Sequence, residues 1–242
     1  MSSKDSSVQS AVYNALRKNI MSLQLKPGTV MSTQEVAKTL NVSRTPVREA
    51  FIRLQRDGLI KMFPQKETIV SKIDFSKVEQ ERFVRESLEC ANIELVIENY
   101  TRKDLAELEL NLEKQTATVN MCDYNTFMQL DNEFHHFMFK ITGQKLAWET
   151  IENNSNHYSR IRLITAWNKD IMMETILQHQ KIISAIQENN ADFAQITIKA
   201  HLHQLENQLQ KLLQDYPDYF ATETLSAEER FTALLRNSVA HE

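Results

Sequence analysis

The sequence predicts a mainly α-helical protein of two domains, and three observations support this. The 242 residues include only 3 glycines and 4 prolines, whereas strand-rich folds with many tight turns need more of both. From Phe75 nearly to the end, apolar residues recur at helical spacing. Residues 1–73 hold 12 Lys+Arg against 5 Asp+Glu, while residues 74–242 hold 16 against 27. A basic first domain joined to an acidic second one suggests that the first contacts a polyanion.

Composition also excludes several classes of protein. No run of about 18 apolar residues is present, so no membrane span and no membrane partner are expected. The first residues, Met1–Asp5, lack the apolar core of a signal peptide. Cys90 and Cys122 are too few for a disulfide framework. These features predict a cytoplasmic protein.

Three short helices followed by a hairpin are predicted in domain 1–73. Pro46 suits the first turn of the third helix, where its missing N–H costs nothing. The predicted elements, in order, are a helix over about 7–23 ended by Lys26–Gly28, a helix through Leu40 capped by Ser32 or Thr33, a helix from Arg44 or Thr45 to Arg56 capped by Ser43, and hairpin strands Leu59–Phe63 and Thr68–Ser71.

This order of elements is that of a winged helix-turn-helix domain, whose third helix enters the major groove of DNA. A helix N-terminus offers free N–H groups and a positive dipole end to phosphate. Arg44 and Arg48 are predicted to bind phosphate or guanine. Ser43 and Thr45 are predicted to bond phosphates at the helix start, and Lys66 to act from the hairpin.

Domain 74–242 is predicted to be an all-α bundle with short loops. Ser226 with Glu229 forms a capping-box signature before an additional C-terminal helix. The predicted helices cover about 75–99, 102–120, 123–140, 145–166, 170–188, 190–214 and 226–239.

A carboxylate and three imidazoles stand out in this bundle. Asp131 and His135 are four residues apart and so share a helix face. His179 is expected at the start or in the first turns of a later helix, and His201 within the next. Such a set from three helices can converge on a divalent metal. Spacing alone leaves a second interpretation open, in which each histidine is a surface or satisfied core residue.

Three arginines occur among apolar residues of the bundle, and an arginine facing a core needs an anionic partner. Glu89, four residues after Arg85, could be that partner within one helix. Alternatively, Arg85 and Arg162, and less readily Arg160, receive the carboxylate of a small ligand. The sequence predicts Arg85 and Arg162 as effector-binding residues.

The sequence resembles the GntR family of bacterial transcription regulators in its first domain and the FCD ligand-binding domain of the FadR-like branch in its second. Together the matching motifs cover nearly the whole chain. They are Leu25–Gly28, Asn41–Ala50, Leu54–Leu59 and Pro64–Lys66 in the first domain, and Arg85–Glu89, Asp131–His135, His179–Ile186 and Ala200–His201 in the second.

The resemblance implies that Asp131, His135, His179 and His201 bind a divalent metal. Zinc is the predicted ion, with nickel and manganese as alternatives. It further implies a small carboxylate effector at or beside the metal, a homodimer, and a palindromic double-stranded DNA operator whose binding the effector alters. The predicted function is therefore a ligand-responsive transcription regulator and not an enzyme.

Two departures and two alternatives accompany this prediction. The wing carries Glu67 where the family usually has glycine, and a carboxylate there would repel phosphate. The helix after Tyr219 extends beyond the usual end of the domain.

One alternative is a metal-dependent helical hydrolase fused to a DNA-binding module, although Glu133, the nearest carboxylate, falls on another helix face. The other is a regulator whose metal is purely structural.

Overall fold

A computed structural model describes residues 3–63 and 67–221, with side chains from residue 8 onward and excepting Glu206. Its contacts divide the chain into two compact units. One comprises the residues up to Val78 together with those from Tyr216, and the other comprises Glu79–Asp215. The division into domains at residues 73 and 74 stays a prediction.

The first unit contains the predicted three helices, α1 (Ser3–Met21), α2 (Thr33–Thr39) and α3 (Arg44–Arg56). Their apolar faces form one core with Leu16, Ile20 and Phe51 almost fully buried. The α2 cap is as predicted, since the Ser32 side chain accepts a hydrogen bond from the Glu35 N–H at 3.1 Å. Helical spacing and capping residues were thus sufficient to locate these helices.

The hairpin is part of a three-stranded antiparallel sheet with the order β1–β3–β2. Its strands are β1 (Val30–Met31), β2 (Ile60–Met62) and β3 (Thr68–Val70). The β2 and β3 strands confirm the predicted hairpin, with Ile60 opposite Val70. The two-residue β1, where Val30 pairs with Ile69, was not predicted because so short a strand has no period of its own.

The first unit also includes the segment before the end of the described chain. Ile73 forms a parallel bridge with Phe220, and its N–H donates to the Tyr219 carbonyl at 2.8 Å. The Phe75 and Phe220 rings stack with centroids 5.1 Å apart. A short 3₁₀ helix, Pro217–Tyr219, confirms that the helical pattern breaks here. The predicted helix 226–239, with Ser226 and Glu229, lies outside the described residues.

The second unit is helical throughout, and two predicted helices are divided. The stretch 145–166 breaks at Asn154 and Ser155, which are poor helix formers. The stretch 190–214 gives way at Gln204 to a 3₁₀ helix. The helices are α4 (Phe75–Asn99), α5 (Arg102–Met121), α6 (Tyr124–Ile141), α7 (Lys145–Asn153), α8 (Asn156–Thr165), α9 (Lys169–Gln187), α10 (Ala191–His203), the 3₁₀ helix Gln204–Gln208 and α11 (Leu209–Asp215).

A distant carboxylate stabilises the break between α7 and α8. Glu81, on α4, accepts hydrogen bonds from the backbone N–H groups of His157 and Tyr158 at 2.8 and 2.7 Å. A negative charge at a helix N-terminus satisfies free donors and complements the dipole. The start of α8, which carries Arg160 and Arg162, is therefore fixed by a tertiary contact. Within the described part of the chain, no helix combines the length and apolarity needed to cross a membrane.

Candidate metal centre and candidate nucleic-acid interface

The four predicted metal ligands lie together in the second unit. Asp131 and His135 come from α6, His179 from α9 and His201 from α10. One ligand atom of each lies within 4.8 Å of the others, and all four side chains are buried. His179 lies in the middle of α9, so the expectation that it begins a helix or lies in its first turns was wrong. We call these residues the four-ligand cluster.

Each histidine of the cluster is held by a hydrogen bond at its Nδ1 atom. The partners are Glu89 Oε2 for His135 at 2.7 Å, Gln115 Oε1 for His179 at 3.0 Å, and Gln178 Oε1 for His201 at 2.9 Å. All three partners are acceptors, so each Nδ1 carries the proton and each Nε2 presents a lone pair.

The orientation of Gln115 is itself fixed. Its Nε2 donates to Asn111 Oδ1 at 2.7 Å, and Asn111 Nδ2 donates to the Leu130 carbonyl at 3.1 Å. Gln115 therefore presents its oxygen, not its nitrogen, to His179. This chain of bonds selects the Nδ1–H tautomer of that imidazole.

The convergence of Nε2 lone pairs is unfavourable without a cation. The Nε2 atoms of His135 and His201 are 3.2 Å apart, close to the roughly 3.3 Å between two nitrogens bound tetrahedrally to one zinc ion. His179 Nε2 is buried and lacks a hydrogen-bond partner among the described residues. These donors fit a divalent ion that accepts imidazole and carboxylate ligands.

Burial keeps the imidazoles of His179 and His201 neutral. Desolvation lowers the pKa of His179 to about 3, although the charge of Asp131 opposes it. Desolvation, then the neighbouring His179 and His135, holds the pKa of His201 well below its usual range. Neutral imidazole is the form that binds a metal.

Arg162 forms an ion pair with the carboxylate of the cluster. Its Nη2 donates to Asp131 Oδ2, and its Nη1 donates to Asn132 Oδ1 at 3.1 Å. Burial would raise the pKa of Asp131, but Arg162, followed by the three histidines, lowers it well below its usual range. Asp131 is therefore a carboxylate with one oxygen, Oδ1, near His179 at 3.7 Å.

Arg85 forms a second buried ion pair, one step further from the cluster. Its Nε donates to Glu89 Oε1 at 2.6 Å, while the other Glu89 oxygen binds His135. Burial would raise the pKa of Glu89, but His135 and then Arg85 hold it well below the usual range. The Arg85–Glu89 ion pair within one helix, considered from the sequence, is present. Glu89 also orients the predicted ligand His135. Arg85 Nη2 is buried without a hydrogen-bond partner among the described residues.

A cavity opens beside the cluster. Among its described lining residues are Asp131, Arg162 and His201, with Tyr158 and Gln204. It is narrow, since the volume open to the centre of a water molecule is about 30 Å³. Arg162 is thus placed as an effector-binding residue would need to be, whereas Arg85 is not among the lining residues. Both assignments stay predictions.

The candidate DNA-contacting residues of α3 are free at the surface of the first unit. Ser43, Arg44, Thr45 and Arg48 are exposed, while the opposite face of the helix is buried. Ser43 occupies the N-cap position, yet its side chain makes no capping hydrogen bond. The expectation that its hydroxyl caps the helix was wrong, and the first-turn N–H groups lack that side-chain acceptor.

Two features next to this surface bear on which side chains are available to DNA. Arg53 lies over the Tyr13 ring, 3.8 Å from its centroid, so it packs on the protein. Lys66 lies outside the described residues. The exposed Glu67 ends the hairpin turn, where its carbonyl accepts from Phe63 N–H at 2.9 Å.

Comparison with known proteins identifies the chain's relatives. Residues 8–70 match the model of bacterial regulatory proteins of the gntR family, and residues 82–204, half of the chain, match the FCD domain. The chain belongs to the GntR family of bacterial transcription regulators. The two domain matches confirm the predicted fold class and the resemblance, and the family and the relatives below are transcription regulators, not enzymes.

Two curated relatives match over most of their length. The HTH-type transcriptional repressor RspR of Escherichia coli (strain K12) is 33% identical over 216 residues, covering 89% of this chain and 95% of RspR. An uncharacterized HTH-type transcriptional regulator in an unstable DNA locus of Streptomyces ambofaciens is 28% identical, covering 90% and 92%.

Solved structures support the fold. E. coli McbR/YncC has a TM-score of 0.70 at 24% identity, covering 89% of this chain and 100% of that one. A putative GntR regulator from Rhodococcus sp. RHA1 has a TM-score of 0.71 at 20% identity, covering 85% and 98%.

The residues that orient the histidines were not predicted from the sequence of this GntR chain. Gln115 lies on the apolar face of α5, between the buried Leu112 and Val119, and a lone polar residue there was a usable signal. Glu89 was considered only as the partner of Arg85. Gln178 precedes a ligand in sequence, and its role depends on the packing of α9 against α10.

Proposed function

We propose that this GntR regulator is a cytoplasmic homodimer that binds a palindromic operator and responds to a small carboxylate effector at a divalent metal. One observation supports it most strongly: three imidazoles with fixed Nδ1–H tautomers direct their Nε2 lone pairs at one point beside Asp131. Asp131, His135, His179 and His201 would hold the ion, with zinc favoured and nickel or manganese as alternatives. A bound ion with a free position supplies a site for a carboxylate oxygen.

Arg162 would complement the effector's charge. It lines the cavity and already compensates Asp131 through one edge of its guanidinium, and guanidinium suits planar carboxylates. Arg85, behind Glu89, would act through the cluster unless its free Nη2 reaches a ligand directly. Effector binding would change operator affinity by a coupling free energy, typically about 1–3 kcal/mol.

Operator contact is assigned to the exposed start of α3, with Ser43, Arg44, Thr45 and Arg48, and to Lys66 of the wing. Ser43 supports this, because a hydroxyl without a capping bond remains available to a phosphate. For the homodimer, Phe83 on α4 and Ile196 on α10 are exposed apolar side chains, 69% and 63% accessible, on helices that contact each other through Gln195 and Glu94. Exposed apolar side chains mark an interface when they form a contiguous patch, whereas single ones are normal.

The test combines metal content with operator binding. Purified protein should carry about one divalent ion per chain, and His179→Ala should lose it while His136→Ala, next to a ligand but outside the cluster, keeps it. Binding to the protein's own promoter region should then be measured with and without candidate carboxylates, and after chelation.

Each outcome has a distinct meaning. Operator affinity that responds to a carboxylate only in the metal-loaded protein supports the proposal. A metal that stabilises the fold while carboxylates change neither stability nor operator affinity favours a purely structural ion. Absence of sequence-selective DNA binding under every condition would contradict the operator assignment.

A further inference from the structure

The cavity beside the cluster is lined by a buried donor that has no hydrogen-bond partner among the described residues. Gln204 is 9% exposed, and its Nε2 has no hydrogen-bond partner among the described residues. Its Oε1 accepts from Thr175 Oγ1 at 3.3 Å, and Nε2 is the end of the amide without a partner. An unpaired buried donor costs free energy that an acceptor on a ligand would recover.

The other hydroxyl groups of the cavity are already committed. Tyr158 donates to the Leu202 carbonyl at 3.1 Å, and Thr165 donates to the Arg162 carbonyl at 2.7 Å. Thr175 donates to Gln204, as above. The rest of the described lining mixes apolar side chains, among them Phe127, Ile171 and Leu205, with the polar side chains of Asp131, Arg162, His201 and Gln208. Gln204 Nε2 is therefore a buried donor of this wall that has no partner among the described residues.

Helix geometry places this donor one turn from the four-ligand cluster. The helices α9 and α10 are joined by the short loop 188–190 and run antiparallel, and the His179 and His201 rings meet at 4.9 Å between centroids. Thr175 precedes His179 by four residues, and Gln204 follows His201 by three. At about 1.5 Å per residue, both steps move about 4.5–6 Å in the same direction along the pair of helices.

We propose that the effector is a short carboxylic acid whose far end carries an acceptor oxygen, and that Gln204 Nε2 binds that oxygen. This rests on the proposed function, which places the carboxylate beside Arg162 and His201. The axial step of about 4.5–6 Å from His201 to Gln204 is comparable to the length of a chain of three methylene groups and a terminal oxygen.

The ligand test compares two acids of equal shape. In 4-hydroxybutyrate a hydroxyl occupies the place of the terminal methyl of pentanoate. Binding to zinc-loaded protein is measured by calorimetry, with thermal shift as a second readout. The wild type should bind 4-hydroxybutyrate at least about tenfold more tightly than pentanoate, because only the former satisfies Gln204. Succinate, whose far end is also an acceptor, should be preferred over pentanoate as well.

Variants at Gln204 identify the source of the preference. Gln204→Leu should abolish the discrimination between the two acids while leaving zinc content unchanged. Gln204→Glu should lose succinate far more than 4-hydroxybutyrate, since a hydroxyl can donate to a carboxylate and a second carboxylate cannot. Gln210→Leu, the same change at an exposed position on the neighbouring α11, should keep the wild-type preference.

Failure of the Gln204 inference and failure of the proposed function give different results in these experiments. Equal binding of 4-hydroxybutyrate and pentanoate to the wild type would overturn the role of Gln204 while leaving a carboxylate-responsive regulator intact. Retained preference in a folded, zinc-loaded Gln204→Leu protein would also overturn it. If neither acid nor succinate binds the zinc-loaded wild type, the inference and the carboxylate part of the proposed function fail together. The affinities of the three acids for the wild-type protein test the role of Gln204 even if a Gln204 variant does not fold.

Discussion

The start of α3 and the four-ligand cluster hold their polar side chains in opposite ways. Arg44, Thr45 and Arg48 are exposed, and each can change rotamer at little cost. Asp131 and His179 are 1% and 0% exposed, and every histidine of the cluster has a hydrogen-bonded Nδ1. A surface that meets a large, flexible polyanion gains from adaptable side chains. A site for a small ion must be organised before the ion arrives.

The contrast between the exposed start of α3 and the buried four-ligand cluster predicts the largest loss of stability for a substitution of Arg162. Arg162→Leu leaves the buried Asp131 carboxylate without its ion pair, so the metal-free protein should lose about 3–5 kcal/mol of unfolding free energy. Urea unfolding in the presence of a chelator measures this. Lys145→Leu, which removes a lysine from an exposed pair with Glu149, should have almost no effect. A comparably small loss for Arg162→Leu would mean that Asp131 is compensated by other groups.

The second prediction concerns the orientation of one ligand. Glu89→Gln weakens the hydrogen bond that fixes His135, and loss of such a partner typically lowers metal affinity about 10- to 100-fold. Competition with a chromogenic chelator measures the affinity on protein that circular dichroism confirms as folded. The matched control is Glu133→Gln, because Glu133 is exposed and pairs with Gln129 on the same helix. Equal metal affinities of the Glu89→Gln and Glu133→Gln proteins would show that Glu89 does not contribute to metal binding.

The third prediction addresses the exposed surface. Arg48→Ala should weaken specific operator binding by about 1–3 kcal/mol if the guanidinium reads a base. Arg53→Ala is the control, since Arg53 lies over Tyr13 and should affect domain stability and not DNA selectivity. Fluorescence anisotropy with an operator duplex and a scrambled duplex at one salt concentration separates the two effects. A loss that is equal on both duplexes would identify Arg48 as a phosphate contact.

The smallest prediction compares two serines at helix starts. Ser32 caps α2 through the Glu35 N–H, so Ser32→Ala should cost about 1 kcal/mol of stability. Ser43 makes no capping bond, so Ser43→Ala should leave the melting temperature nearly unchanged and weaken operator binding instead. Thermal unfolding and anisotropy on both variants check this. The reverse pattern would show that Ser43 is structural.

Local features were read correctly from sequence because their physical cause is local. The apolar spacing of α1 to α3 and the serine before α2 give the helices directly. The two halves of the long predicted helix 145–166 could not be separated in this way. The weak helix formers Asn154 and Ser155 mark the break, and the start of α8 is fixed by Glu81, which lies over 70 residues earlier.

The four predicted metal ligands show more clearly that sequence predicts local features and not tertiary contacts. The spacing of Asp131 and His135 places both on one face of α6, which any α-helix would do. That His179 and His201 meet them follows from the packing of α9 and α10, and the proton positions depend on Glu89, Gln115 and Gln178.

By itself the sequence determined a helical, two-part GntR chain, the exposed arginines of α3 and the residue types able to bind a metal. Only the tertiary structure decided the tautomers of the histidines, the pairing of Arg162 with Asp131 and the buried donor of Gln204. The physical reason is that helix formation and capping act over three or four residues. Buried hydrogen bonds instead join side chains from helices 23 to 64 residues apart in the chain.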